Sequence, residues 1–118
     1  MTTRQSFTAV LERNSTFQED FATEPYEAGW ATEARWFVRV LGSSGKETEL
    51  ILTPQLSPDG ILWCDEGSPP IIIRPGGEAA PELYTLGQTH FGQWLRLRGE
   101  LTGSAPSITL IIYLALKE

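Results

Sequence analysis

The sequence predicts an all-β chain: an antiparallel β-sandwich of jelly-roll type, with a small β-barrel as the alternative. Three observations predict it. Apolar and polar residues alternate with period 2 through three long segments, which is the pattern of half-buried strands. The 11 glycines and 8 prolines are spread between such segments and do not gather in one linker, as many short strands joined by turns require. No stretch of ~12 residues carries an apolar stripe at helical spacing with capping residues. A sheet that is apolar on one face must bury that face, and without helices its cover is a second sheet.

The first segment runs from Glu33 to Leu41, with Ala34, Trp36, Val38 and Val40 on one face and Glu33, Arg35, Phe37 and Arg39 on the other. Glu49 to Leu56 follows, with Leu50, Leu52 and Leu56 in one set and Thr53 and Gln55 in the other. Pro54 falls on the apolar set and suggests a strand end or an edge, since proline cannot donate to a ladder. Gly42-Ser43-Ser44-Gly45 reads as a flexible hairpin loop joining the two. Trp94 to Leu101 sets Leu95, Leu97 and Leu101 against Trp94, Arg96 and Arg98. A turn at Thr102 to Pro106 leads into Ser107 to Lys117, a strand with Ile108, Leu110, Ile112, Leu114 and Leu116 on one side. Its other side, Thr109, Ile111, Tyr113 and Ala115, is apolar enough to be partly covered, as in a central strand or one that meets a subunit partner. Shorter strands are expected near Phe7–Glu12, Gly60–Cys64, Pro70–Ile73 and Glu82–Leu86. The expected core is Trp36, Val38, Val40, Leu50, Leu52, Trp63, Leu95, Leu97, Ile108, Leu110, Ile112 and Leu114.

A chain of 118 residues suits one domain spanning 1–118, with the acidic and aromatic stretch 16–30 as an extended loop or arm. The net charge of -6 argues against a nucleic-acid partner, because duplex affinity rests on Lys and Arg neutralising phosphates. The longest apolar run, Leu110 to Leu116, is too short for a membrane-spanning helix. Met1 to Ser6 shows no apolar signal-peptide core, so the expected location is the cytoplasm or an assembled particle. One cysteine, Cys64, cannot form an intramolecular disulfide.

The phrase Leu56-Ser57-Pro58-Asp59-Gly60-Ile61-Leu62-Trp63 resembles the strand-turn-strand phrase S-x-D-G-x-x-W of discoidin-like and related jelly-roll sandwiches. Phe91-Gly92-Gln93-Trp94-Leu95-Arg96-Leu97 is similar to their later hydrophobic-x-R-L strand. Similar phrases occur in small structural proteins of tailed phages and related bacterial particles. The resemblance implies a jelly-roll sandwich and a structural role. It carries over no ligand-binding residue: the matching positions, Ser57 to Gly60 and Trp63, are structural in that family. Their own chemistry agrees, since proline presets φ, glycine tolerates positive φ, and a tryptophan buries a large ring after the turn.

No set of residues reads as catalytic, cofactor-binding or metal-binding. His90 is the sole histidine, without an evident partner for acid–base work. Cys64 precedes Asp65 and Glu66, whose charges would raise a thiol pKa, and reads as a buried or semi-buried thiol. Asp59, Asp65 and Glu66 lack the D-x-D-x-D-G spacing of a calcium loop. Glu19 with Asp20 and Glu24 with Glu27 read as solvated loop carboxylates. Gly76-Gly77 lacks the lysine of a phosphate loop and reads as a turn.

The informative pattern is a stripe. Arg35, Phe37 and Arg39 share one strand face, and Trp94, Arg96 and Arg98 share another. If the two strands lie close, they form one surface of the kind enriched at interface cores. The acidic stretch 16–30 offers the opposite charge. The expected role is therefore a non-enzymatic, self-assembling structural domain, its partners being copies of itself or other subunits of a phage-like particle or bacterial assembly. The alternative is a glycan- or ligand-binding module with Trp30, Trp94 or Tyr84 as a stacking platform. Far-ultraviolet circular dichroism should show a strand-dominated spectrum; helix near the usual third of residues would contradict the class.

Overall fold

A computed structural model describes residues 5–76 and 80–118. Met1 to Arg4, and Gly77 of the expected Gly76-Gly77 turn, lie outside the described residues. Every strand pair is antiparallel, no helix occurs among the described residues, and the sheet does not close into a barrel. The fold is thus an all-β sandwich, and the barrel alternative falls away.

The strands are β1 (Ser6–Phe17), β2 (Phe21–Ala22), β3 (Tyr26–Glu27), β4 (Glu33–Ser57), β5 (Cys64–Asp65), β6 (Ile71–Ile73), β7 (Leu83–Thr89) and β8 (Trp94–Lys117). The centre of the molecule is the ribbon of β4 and β8, paired from Glu33 with Lys117 to Ser57 with Trp94. A straight strand of 25 residues would reach about 80 Å at ~3.3 Å per residue. The longest dimension of the molecule is 52 Å, so the ribbon bends. The bend falls where the pairing register shifts, between Ser44 and Glu49 on β4. Gly45, Glu47, Gly103 and Ala105 take positive φ of 98°, 55°, 133° and 48° there. A Cβ on Gly45 would sit 2.6 Å from the Ala105 carbonyl oxygen, so only glycine allows the two strands to approach at that point.

Gly42-Ser43-Ser44-Gly45 is therefore not a hairpin loop. Glu33–Leu41 and Glu49–Leu56 do not pair with each other; both pair with β8, and the glycine-serine stretch carries β4 from one layer of the single folded sheet into the other. Thr102–Pro106 is the opposing side of the same bend, with Ser104 facing Lys46. The φ freedom that makes a reversal easy makes a strand bend equally easy.

The bend divides the ribbon between two layers. In the first, β1 and β7 flank the β8 half 107–117 and the β4 half 33–44. In the second, β2 and β3 flank the other half of β8, and β5 and β6 flank the other half of β4. Residues 90–93 link Thr89, which pairs with Glu33, to Trp94, which pairs with Ser57. That short link brings the two free ends of the ribbon to the same end of the sandwich. Ala28 N–H to Gln93 O at 2.7 Å and Thr32 N–H to Lys117 O at 2.9 Å tie the β3–β4 connection across both ends.

One core lies between the layers. It contains Trp36, Val38, Leu50, Leu52, Leu95, Leu97, Ile108, Leu110, Ile112 and Leu114, all expected, together with Ala28, Ala34, Ile71, Ile73, Leu101 and Leu116. The Trp36 indole N–H donates to Gln88 Oε1 inside this core, which satisfies the ring's one polar atom. Val40 is only half-buried at the rim of the core. Trp63 is not a core residue: it is half-buried on the outer face of the second layer. The alternation that placed the other side chains stops at Ser57, where β4 ends, and no continuous strand carries its phase to residue 63. The strand expected at Gly60–Cys64 is correspondingly reduced to Cys64–Asp65.

Pro54 lies within β4, opposite Leu97, and not at its end. Its carbonyl accepts from Glu66 N–H at 2.9 Å. A residue's N–H and C=O point to the same side of a strand, so the missing donor faces the gap between β6, which pairs residues 50–52, and β5, which pairs 55–56. The ladder to β8 loses nothing.

The stretch 16–30 is extended and laid along β8. β2 and β3 pair with it, the Thr23 hydroxyl accepts from Leu97 N–H at 2.9 Å, and an Asp20 carboxylate oxygen accepts from Leu101 N–H at 2.8 Å. Phe21 lies over Gly99, where a Cβ would be 2.5 Å from the ring, and stacks on Phe17 with centroids 3.7 Å apart. Truncating Leu97 or Leu110 to alanine should each cost about 2–5 kcal/mol, one in each layer. Equilibrium urea unfolding should show a single transition lowered by both; an unshifted midpoint for either would refute the shared core.

Candidate functional site

The two Arg/aromatic triplets occupy different layers. Arg35, Phe37 and Arg39 project from the outer face of the first layer, and Trp94, Arg96 and Arg98 from the outer face of the second. Because the inner faces share one core, the outer faces point away from each other. The structure does not bring the four guanidinium groups into one surface.

The second face is largely satisfied within the chain. Arg96 donates from Nε to Gln55 Oε1 at 2.8 Å, and Gln55 Nε2 donates to Asp65 Oδ1 at 2.9 Å. The Arg96 guanidinium lies 4.3 Å from the centroid of Trp63, a cation–π stack. Burial, and then the neighbouring Arg98, push the Arg96 pKa down, but a guanidinium stays charged at any physiological pH. Trp94 packs against Gly60, where a Cβ would sit 3.4 Å from the ring. Arg98 pairs with Glu100 at 3.4 Å in the open, a contact of small energetic weight.

The first face is different. Cross-strand register sets Arg35 between Ala115 and Gly87, Phe37 between Tyr113 and Thr85, and Arg39 between Ile111 and Leu83. Val10 of β1 adds to the Tyr113 row. The second side of the Ser107–Lys117 strand and the first arginine stripe are therefore one surface. Phe37, Ile111, Tyr113 and Ala115 are half-exposed, and Val10 and Leu83 are exposed. Arg35 donates from Nη1 to Thr85 Oγ1 at 3.1 Å. Among the described residues the ion pairs are Arg74–Glu49 and Arg98–Glu100, so neither Arg35 nor Arg39 has a carboxylate partner. A groove of about 550 Å³ crosses this face, lined by Glu33, Arg35, Phe37, Gly87, Ala115 and Lys117 among others.

The remaining candidates stand apart. Cys64 is exposed rather than buried, because β5 is a two-residue edge strand with nothing over it. His90 is exposed with φ 56° and meets only the Thr89 hydroxyl, at 3.3 Å. Among the described residues no three of His, Cys, Asp and Glu converge as a metal cluster would. Of the possible stacking residues, Trp30 is exposed, Tyr84 packs toward the core of the first layer, and Trp94 lies on the outer face of the second. They form no common platform.

The turn Ser57–Gly60 is built as its residue types suggest. Ser57 Oγ accepts from the N–H groups of Asp59 at 3.2 Å and Gly60 at 2.8 Å. Asp59 Oδ1 accepts from Ile61 N–H at 2.8 Å, Leu62 N–H at 3.0 Å and the Ser57 hydroxyl at 3.0 Å. Sequence reasoning missed what the turn displays: Ile61 and Leu62, which it counted as part of a strand.

No protein-family model and no curated protein sequence matches the chain. Among solved structures, the fold is similar to the PBSX exported protein XepA, with a TM-score of 0.64 at 12% identity over 93% of this chain. The chain spans 36% of XepA. Latent PorU from Porphyromonas gingivalis is matched at a TM-score of 0.49 and 14% identity, over 98% of this chain and 13% of PorU. The likeness to XepA is one of fold.

The hydrogen bonds from Ile61, Leu62 and Ser57 hold the Asp59 carboxyl below the usual carboxylate range. A depressed folded pKa contributes stability above the unfolded value, and that contribution is lost as pH falls through the folded one. An NMR titration should therefore place the Asp59 midpoint below that of a free aspartate. Asp59→Asn should remove the acid-side loss of order in residues 57–62; a normal midpoint would refute the turn geometry.

Proposed function

We propose that this domain is a non-catalytic structural module that associates with copies of itself, or with other subunits of a phage-like particle or bacterial assembly. The observation that carries the reading is the outer face of the first layer. Arginine and aromatic side chains are the types that concentrate at interface centres. Here Arg35 and Arg39 flank Phe37, Tyr113 and Ile111 without an ion-pair partner among the described residues, on a chain whose net charge is -6. What sets these two cations apart is the apolar and aromatic surface they flank, an arrangement suited to covering by another subunit. Trp94, Arg96 and Arg98 take a smaller part, since Arg96 and Trp94 already have internal partners. The resemblance of the Ser57–Trp63 phrase to particle proteins supports the same reading, and the fold likeness to an exported PBSX protein is compatible with it.

Sedimentation velocity tests the proposal. Wild type should show concentration-dependent assembly, and Phe37→Ser with Arg39→Ala should be monomeric with an unchanged circular dichroism spectrum. Truncating a desolvated interface arginine costs about 2 kcal/mol or more, enough to shift association at least tenfold. Arg98→Ala should leave assembly unchanged. A strictly monomeric wild type that binds no particle component would remove the reading.

A further inference from the structure

Ile61 and Leu62 are 77% and 73% exposed, more than any other large apolar side chain among the described residues. They are adjacent, and they stand on a turn whose backbone is held by both Ser57 and Asp59. Beneath the turn, Gly60 rests on the Trp94 ring. Isolated exposed apolar residues need no explanation. Two neighbours held out by a network of hydrogen bonds form a rigid apolar knob, which loses little conformational freedom on docking.

We propose that this knob docks into the first-layer groove of a second copy. The inference rests on the self-association proposed above and names its contact. The groove is a recess of about 550 Å³: Ala115 contributes only a methyl to it and Phe37 supplies an apolar wall, while the Arg35 guanidinium lies over Gly87, where a Cβ would sit 2.6 Å from Nη2. Charge points the same way. The knob is flanked by the exposed carboxylates of Asp59 and Asp65. The groove carries Arg35 and Lys117, with Arg39 one row beyond, against a single acid, Glu33. An acid-flanked apolar projection and a cation-flanked apolar recess steer toward each other and fix register. Knob and groove are different surfaces of one chain, so the contact closes a two-fold dimer where two copies exchange knobs reciprocally and otherwise builds a chain or a ring.

Sedimentation velocity on mixtures reads this directly. Ile61→Asp with Leu62→Asp removes the knob at fully accessible positions; Ala115→Trp fills the groove from the solvent side, and Lys117→Glu reverses its rim at an exposed residue. Each variant alone should be monomeric at concentrations where wild type assembles. An equimolar mixture of the knob variant and a groove variant keeps one intact contact and should give a dimer that does not lengthen. If the knob variant assembles like wild type while Phe37→Ser with Arg39→Ala does not, this contact is wrong and the self-association reading stands. A mixture that stays monomeric also overturns the knob-in-groove contact. A monomeric wild type overturns both, including the case in which it pellets with phosphatidylcholine vesicles through Ile61 and Leu62.

Discussion

The pairing of β4 with β8 from end to end, shifted in register only around the bend, is the constraint from which the rest of the architecture follows. Two strands of 25 and 24 residues are too long to lie flat in a molecule of this size, and their inward side chains are apolar on both sides of residues 44–49. Folding the ribbon back on itself buries both apolar stretches against each other. The cost is concentrated in a few residues: two glycines and two others at positive φ. Every other strand is an accessory to the ribbon, added to an edge of one half or the other.

The two outer faces show how similar side chains acquire different meanings from their neighbours. Arg96 is stacked, hydrogen-bonded and linked through Gln55 to Asp65. A charge so satisfied rigidifies the surface it sits on. Arg35 and Arg39 sit beside aromatic and aliphatic neighbours instead, with no ion-pair partner among the described residues. Composition would rank the two triplets alike; only cross-strand register separates them.

Much of this was legible from alternation alone. Ile108 to Leu116 and Ala34 to Val38 read correctly because an unbroken strand preserves its phase, and one wrong step would expose a whole apolar row. Trp63 could not be placed that way, since the phase ends at Ser57. The glycine-serine stretch at 42–45 was misread because hairpin and bend need the same local chemistry. What distinguishes them is the partner, and β8 lies far along the chain. The arginine stripes were visible as faces, whereas their separation into two layers depended on that same distant pairing. Ile61 and Leu62 escaped notice because two apolar residues in sequence look like strand until the turn beneath them is seen.

The central position of β8 has a consequence for synthesis. Strands β1, β2 and β3 pair only with β8, and it supplies half the inward side chains of the central ribbon. A chain leaving the ribosome N-terminus first can join β4 to β5, β6 and β7 beforehand, but both layers lack their middle until residues 94–117 have emerged. Until then the apolar rows of β4 are uncovered and its β8-facing edge is open to other nascent chains. Contacts of such long sequence separation also slow folding after release. The interval between translation of β4 and arrival of β8 is when a holding chaperone has most to protect.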